Sequence, residues 1–274
     1  MGNMKTDIGN ECIMLVGSDC TFYLGLLGPL SLRTFGSFTI YTSLERPFRI
    51  CLDGQRWEQR DIAVVPPYVP HRIQTSERVI CSTMLEPESI DLSRFPSFVA
   101  TNSTGKRGLI SLERIRAAYA HLQQIGVGEP VEGINTDQLF FGQDLITKTL
   151  DPRIERIVEK IKSDPSSQFT AEECAEEAKL SSSRFLHLFK AETGVPFRKF
   201  RAWKRARNLL YHVGRSDTLT DIALEIGYPD STHFSHSIRQ FYGLRPSEIF
   251  AGSRRLGVLI QKPAIMRCGL ARLF

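Results

Sequence analysis

The chain has 274 residues, more than the ~100–200 of a usual single domain, so two domains are expected. With 42% hydrophobic and 24% charged residues it has the composition of an ordinary globular chain, which excludes a disordered acidic tail protein, a collagen-like repeat and a small disulfide scaffold. The net charge of +5 is unevenly divided: residues 1–150 hold 14 Lys+Arg against 16 Asp+Glu, and residues 151–274 hold 21 against 14. A basic half joined to a mildly acidic one points to a polyanionic partner for the former. No apolar run reaches the ~18 residues of a membrane-spanning helix, and Met1 to Gly17 does not read as a secretory signal. The expectation is a cytoplasmic protein with no membrane partner. The six cysteines (Cys12, Cys20, Cys51, Cys81, Cys174 and Cys268) form no C-x-x-C pair and read as buried free thiols rather than metal ligands.

From about Val16 to Leu85 the sequence reads as short strands broken by turns. Leu30 to Tyr41 alternates in part at period two, Asp53-Gly54 is a hairpin dipeptide, and residues 61–73 read as strand, Pro-rich turn, strand. Even strand spacing without βαβ alternation predicts a β-sandwich or small barrel. Between Gly108 and Ile125 the period becomes helical, with Leu112, Ile115, Tyr119, Leu122 and Ile125 on one face, until Gly126 and Gly128 stop it. A second helix is predicted from Thr136 to Thr149. The apolar stripe of the first either caps the β-domain or serves self-association. Asp151-Pro152 then opens a helix through Lys162, as N-cap and first helical residue. The domain boundary is placed at residue 150.

The C-terminal half contains one unit written twice, offset by 48 to 49 residues. The first copy runs Cys174-Ala175, Ala178-Lys179-Leu180-Ser181, Ser183 to Lys190, then Gly194. The second runs Ile222-Ala223, Ile226-Gly227-Tyr228-Pro229, Thr232 to Arg239, then Gly243. Each reads as a short helix, a tight turn and a second helix ended by glycine, the layout of a helix-turn-helix. Gly227 suits the turn, where positive φ is cheap only for glycine. Lys179 holds the matching place in the first copy, at a cost of up to ~1 kcal/mol.

In the second helix of the first copy, Phe185, Leu188 and Phe189 are expected to be buried, leaving Ser183, Leu186, His187 and Lys190 outward. In the second copy Phe234, Ile238 and Phe241 are buried, leaving Thr232, Ser235, His236 and Arg239. The two stripes match position for position. Hydroxyls, imidazoles and cations can meet base edges or phosphates, and Leu186 can pack on a thymine methyl. A polar stripe on a surface helix is ordinarily just solvated; duplication, matching stripes and a basic domain together favour a recognition helix in a major groove. His233 and His236, three apart, lack a third residue that would make them a metal site. Between the copies a helix from Pro196 to Val213, ~27 Å long, is predicted to hold the two recognition helices about one DNA turn (~34 Å) apart. Its cations Arg198, Lys199, Arg201, Lys204, Arg205 and Arg207 either pair with phosphates or keep the helix soluble; Arg198, Arg201 and Arg205 are the phosphate candidates.

Leu180 to Gly194, together with Asp221-Ile-Ala, Gly227-Tyr228, Phe234, Ile238 and Gly243-Leu-Arg-Pro-Ser247, closely resemble the two motifs of AraC/XylS-type bacterial transcription regulators. The resemblance covers about residues 150–252. It implies a seven-helix domain over 151–252, with Ser182, Ser183, Arg184, Leu186 and His187 facing bases in the first unit and Ser231, Thr232, His233, Ser235 and His236 in the second. Lys190 and Arg239 complete the DNA-binding set read from the stripes. More loosely, residues 1–150 are similar to the cupin-like sensor domain of the same family, best at Asp61 to Pro67 and Pro70 to Ile73. The fold expected is therefore α+β in two domains: a cupin-like β-barrel with following helices, then an all-α domain with two helix-turn-helix units. The resemblance implies a ligand-responsive activator, with promoter DNA and a second copy of the chain as partners, an unknown small-molecule effector, and contact with RNA polymerase left open.

Residues 1–105 hold one histidine, His71, and no H-x-H, Ser-His-Asp set or glycine-rich phosphate loop. Neither an enzyme nor a cofactor is expected, and no metal. His71 reads as a strand-end residue before a ligand. Arg33, Tyr41, Trp57, His71 and Arg72 are the candidates for contact with an anionic or aromatic effector. A basic, apolar tail, residues 253–274, either packs on the last helix or contacts DNA or another protein. Two rival readings are a regulator without an effector, controlled by a partner or its own abundance, and a metal-dependent cupin enzyme fused to a DNA-binding domain.

Overall fold

The computed structural model describes residues 12–94, 106–125 and 134–261. The expected turn at Gly126 and Gly128, Cys268 and the tail beyond Gln261 lie outside these. In the N-terminal half, β1 (Cys12–Val16), β2 (Cys20–Leu26), β3 (Phe38–Thr42), β6 (Ile62–Val65) and β8 (Val79–Leu85) join β9 (Leu256–Ile260), from the C-terminal part, in a six-stranded sheet of order β6-β3-β8-β2-β1-β9. A smaller sheet has the order β5-β4-β7, from β4 (Phe48–Leu52), β5 (Glu58–Arg60) and β7 (His71–Gln74). An isolated bridge joins Arg33, in the segment between β2 and β3, to His71 of β7. The expected closed barrel is thus corrected to two sheets with free edges: the hairpin carrying β4 and β5 folds away with β7 instead of completing a ring.

The large sheet is buried on both faces, which explains the nearly unbroken apolar run Cys-Ile-Met-Leu-Val of β1 and the weak alternation elsewhere. Ile13, Leu15, Phe22, Ile40 and Leu85 face a core built with helices α1 (Lys106–Gln124) and α2 (Thr136–Phe141). The stripe of α1 predicted from its period, Ile115, Tyr119 and Leu122, is fully consumed there, so it caps the sheet rather than serving a second copy. Helix α2 is shorter than the predicted Thr136–Thr149: Gly142 terminates it in the left-handed conformation at φ 70°, and Thr147 pairs instead with Ile90.

Seven helices follow: α3 (Pro152–Ser163), α4 (Ala171–Glu177), α5 (Ser182–Thr193), α6 (Phe197–Asn208), α7 (Leu219–Glu225), α8 (Ser231–Tyr242) and α9 (Pro246–Gly252). Asp151 caps α3 by accepting from the Arg153 amide, with Pro152 in the first turn, as expected. The linker helix is corrected from Pro196–Val213 to the 12 residues of α6, ~18 Å long; a 3-10 turn at Leu209–Tyr211 closes it. The start of the tail becomes a strand. Leu256–Ile260 forms β9, parallel to β1 with Met14 opposite Val258, so the chain returns from the helical domain to the edge of the N-terminal sheet.

The second face of that sheet packs on the helical domain. Met14, Val16, Tyr41, Ile80 and Met84 share one continuous core with Trp203, Ala206, Ile222, Phe234, Ile238 and Phe241. Gly36 permits the closest approach: a Cβ there would lie 2.3 Å from Cγ of Trp203. Polar groups pin the same junction. The carboxylate of Glu86, wholly buried, accepts from the Trp203 indole at 2.9 Å and pairs with Arg207 Nε at 2.9 Å and with Lys204, whose ammonium also reaches Glu88. Arg207 donates further to the Cys20 carbonyl and to Thr21 Oγ1, at 2.9 and 3.1 Å. Burial alone would lower the pKa of the Arg207 guanidinium, but Glu86 and the Tyr211 phenol raise it above its ordinary value. Two carboxylates face two cations, so the cluster is neutral as a whole.

Candidate nucleic-acid interface

Each helix-turn-helix is built from local chemistry that its sequence specifies. Thr170 and Glu173 form a capping box at α4, and Thr218 caps α7 by accepting from the Asp221 amide. The turns after these helices need a left-handed residue. Gly227 supplies it at φ 85° in the second unit, and Lys179 at φ 55° in the first, as their matched positions predict. At Gly227 space is also limiting, since a Cβ would sit 2.3 Å from the Ser166 carbonyl oxygen. The second helices open on Ser181, which accepts from the Arg184 amide, and on Asp230, which accepts from the amides of Thr232 and His233. They end at Gly194 and Gly243, at φ 76° and 70°.

Helix α5 buries Phe185 and Phe189 against α3, α4 and the start of α6, where Phe189 meets Phe197 and Phe200 edge-on with ring centroids 5.2 and 5.3 Å apart. That leaves Ser183, Arg184, Leu186, His187 and Lys190 exposed and Ser182 half-buried. Helix α8 buries Phe234, Ile238, Phe241 and Tyr242, leaving Ser231, Thr232, His233, His236 and Arg239 exposed and Ser235 half-buried. The two matched stripes are therefore both outward-facing. Leu186 is 40% exposed, an apolar group suited to a methyl contact. Within the α8 set, His233 is engaged locally: its Nδ1 lies 2.7 Å from Asp230 Oδ2, and those bonds hold the Asp230 carboxyl below its usual range. This leaves Thr232, His236 and Arg239 as the freer groups of that stripe. Each stripe offers hydroxyl, imidazole and cation at the spacing of one helix face, a set able to donate to guanine or phosphate and to accept from adenine or cytosine.

The linker cations separate into two kinds. Arg198 and Lys199 are exposed, the latter with its ammonium 5.7 Å from the Tyr68 ring centroid. Arg201 is half-buried and donates to the Ser167 carbonyl at 3.3 Å, and Arg205 lies over the Tyr228 ring at 5.7 Å. Of the three phosphate candidates, Arg198 alone stands clear of the protein. Lys204 and Arg207, which read as solvated or phosphate-facing cations, are instead the buried domain junction. Their spacing from Phe200 and Trp203 puts them on the buried face, but nothing local shows what pairs them there, since Glu86 and Glu88 lie more than a hundred positions away.

The effector candidates also divide. Arg33 and Tyr41 line a cavity at the domain junction. His71 is buried behind them, with Nε2 2.8 Å from the Tyr41 hydroxyl and Nδ1 2.9 Å from the Val69 carbonyl; it begins β7, as its strand-end reading expected. Burial pulls its pKa down to about 4. Trp57, just before β5, lies beneath the Arg49 guanidinium, 5.3 Å from its ring centroid, and neither it nor Arg72 lines the cavity. Among the described residues no group of three or more His, Cys, Asp or Glu could hold a metal ion.

These features define a protein with paired helix-turn-helix units docked on a two-sided β-sheet. A helix-turn-helix domain family model matches residues 174–252. Over 155 residues the chain is 25% identical to the HTH-type transcriptional activator RhaS of Escherichia fergusonii, covering 52% of this chain and 55% of that one. Over 107 residues it is 26% identical to an uncharacterized HTH-type transcriptional regulator of Haemophilus influenzae, covering 39% of this chain and 36% of that one. The chain thus spans about half of the first relative's length and a third of the second's. The fold as a whole is similar to that of ToxT from Vibrio cholerae O395, with a TM-score of 0.53 at 13% identity over 85% of this chain and 97% of that one. Its C-terminal part is thus similar to the helix-turn-helix domains of transcription regulators, and its fold to that of a two-domain neighbour. No helix among the described residues is long and apolar enough to cross a membrane.

Proposed function

We propose that the chain is a sequence-specific DNA-binding transcription regulator acting in the cytoplasm, in which α5 and α8 enter successive major grooves on one side of the duplex. The observation that carries this reading is the pair of matched exposed stripes, Ser183, Leu186, His187 and Lys190 on α5 and Thr232, Ser235, His236 and Arg239 on α8, each at the second helix of a helix-turn-helix. Ser182, Arg184, Ser231 and His233 complete the base-facing set, and Arg198 is the leading phosphate contact, with Arg201 and Arg205 beside it. Residues 151–252 are the DNA-binding unit and residues 1–150 the sensing unit, with β9 of the 253–274 tail returning to the sensor.

The regulator is ligand-responsive, and the junctional cavity bearing Arg33 and Tyr41 supports this over control by abundance alone. Activation is favoured by the resemblance to RhaS, an activator by name. A second copy of the chain is proposed on the family resemblance, and RNA polymerase is the partner an activator needs. Catalysis has no place in this reading, since the relatives are regulators.

The test replaces Ser235→Ala and His236→Ala together and compares binding to a selected target duplex with binding to random-sequence duplex across salt concentrations. Loss confined to the target, about 1–3 kcal/mol per base contact removed, with an unchanged salt slope on random duplex, supports base reading. Equal loss on all sequences overturns it.

A further inference from the structure

The small sheet buries one face and leaves the other to solvent. Phe48, Ile50 and Ile73 lie in the shared core, so by the two-residue alternation of a strand Arg49, Cys51, Gln59, Arg72 and Gln74 stand on the opposite face. The register sets them side by side. Arg49 lies between Gln59 of β5 and Gln74 of β7, and Arg72, opposite Cys51, is one diagonal step from Arg49, ~7–8 Å away. Arg49, Gln59 and Gln74 are exposed and Arg72 is half-buried. Trp57 belongs to the same face, its ring beneath the Arg49 guanidinium.

The strand positions of this face hold no carboxylate. Glu58 alternates to the other side of β5 and pairs with Arg60 at 2.7 Å. Glu77 accepts from the Arg46 amide at 2.8 Å, and Asp53 stands in the turn beyond β4. Among the described residues neither Arg49 nor Arg72 forms an ion pair. An exposed arginine needs no partner to be stable. Residues 1–150, however, hold 16 acidic against 14 basic side chains, and this one face is cleared of acids. Stacking on Trp57 also holds the Arg49 fork in place rather than leaving it free in solvent.

The face adjoins the helical domain. The Asp53 amide donates to the Pro70 carbonyl at 2.7 Å. Two residues before Pro70, the Tyr68 hydroxyl donates to the Lys199 carbonyl at 3.3 Å, and the Lys199 ammonium lies 5.7 Å from its ring centroid. The hairpin tip with its exposed Arg56 therefore stands beside the first turn of α6, where Arg198 and Lys199 are exposed. Cationic surface continues from the linker helix over the tip onto the small sheet.

We propose that the outer face of the small sheet is a second contact with the DNA phosphate backbone, made by the sensor half in addition to α5 and α8. Arg49 and Arg72 each neutralise one phosphate, and the Gln59 and Gln74 side-chain amides donate to the same oxygens. Each strand of a duplex presents a phosphate every ~3.4 Å of rise, so two cations ~7–8 Å apart each find their own. The assignment rests on the DNA-binding reading given above and extends its surface; contacts of this kind set affinity and carry no sequence information.

The experiment measures binding of the full chain to a target duplex selected in vitro and extended by about one turn (~10 base pairs) on each side, and to random-sequence duplex of equal length, across salt concentrations. The chains are wild type, Arg49→Gln with Arg72→Gln, and Arg49→Lys with Arg72→Lys. The glutamine pair should lower the slope of log K against log salt by about 2, one for each phosphate contact. Over a fourfold rise in salt, wild type then loses about 15-fold more affinity than the variant. Target and random duplex should weaken by the same factor, leaving their ratio unchanged. The lysine pair keeps both charges and should keep the slope. A glutamine pair with the wild-type slope overturns the proposal, and so does a slope that falls equally in the lysine pair, or a changed ratio of target to random binding. If wild type binds with a steep salt slope and the glutamine pair matches it, this face alone is removed. If wild type shows no salt-sensitive binding to either duplex, the DNA-binding reading falls with it.

Discussion

Glu86→Gln tests whether the two halves of the chain are one energetic unit. The wild-type carboxylate lies fully inside the protein and receives three donors from one helix: the Trp203 indole, the Arg207 guanidinium and the Lys204 ammonium. Glutamine preserves size and one acceptor but turns an amide N–H toward the cations. Glu88, its own carboxyl raised by burial against the pull of Lys204, is then the single anion left for two buried cations. Removing one partner from a buried ion cluster costs ~3–5 kcal/mol, mostly because the survivor stays charged and unpaired. For a chain of this size, at ~2–4 °C per kcal/mol, Tm should fall by about 10 °C. Differential scanning calorimetry measures this directly. The double variant Glu86→Gln with Lys204→Met restores a neutral cluster and should recover more than half of the loss, a coupling that additive effects cannot produce. A Glu86→Gln chain within ~0.5 kcal/mol of wild type, or strict additivity in the double variant, would refute the buried-charge argument.

Two further predictions concern the same junction. The native His71 imidazole titrates at about 4 and an unfolded one near 6.5, so between those values the unfolded chain binds the extra proton and stability falls as pH drops, by up to ~3 kcal/mol. Chemical denaturation at pH 7 and at pH 4.5 should show this loss, and His71→Gln should flatten it; an equal slope in both chains assigns the pH dependence elsewhere. Gly36→Ala places a methyl inside the Trp203 ring contact and should cost ~1–3 kcal/mol by overpacking, with a changed near-ultraviolet circular dichroism band from the displaced indole. A variant with wild-type Tm and spectrum would show that the two halves do not meet at Gly36.

The helical domain was legible because its signals are local. Phe185 and Phe189 recur at helical spacing, Gly194 and Gly243 mark stops, and the same layout appears twice, so each copy checks the other. Even the awkward residue was readable, since Lys179 had to adopt the conformation Gly227 adopts freely. The sheet region was legible as strands but not as a closed or open sheet. Both faces of β1 are buried, so its sequence lacks the alternation that would say which side faces what. The tail strand Leu256–Ile260 is apolar and partly β-branched, yet its partner lies at the other end of the chain, and no local pattern announces a parallel pairing. Lys204 and Arg207 failed for the same reason. On α6 they follow Phe200 and Trp203 at three- and four-residue steps, which places them on the buried face, but a cation on a basic helix reads as solvated until a carboxylate is known to wait opposite. Glu86 and Glu88 supply it from a loop whose sequence gives no sign of burial.

The two helix-turn-helix units are not equivalent in how they are held. The first has a core of its own, from Leu150 through Phe185 and Phe189 to Phe200. The second shares its core with the sensor sheet, and its recognition helix ends against the loop that carries Arg33. Helix α6 belongs to both: Phe197 and Phe200 lie in the first core, Trp203 and Ala206 in the second. Within one rigid helix, the half gripped by Glu86 therefore sets where the sensor stands, and the other half sets where α5 stands. A change in the sheet reaches α8 through shared side chains, and the first unit through α6, through Tyr68, which packs against the first core, and through the ion pair of Asp19 with Lys162 at 2.7 Å. The shared core makes α8 and the junctional half of α6 the more extensive of these routes for an effector acting on residues 12–94. Stronger energetic coupling of the sensor to α8 than to the interior of the first unit is the expected consequence.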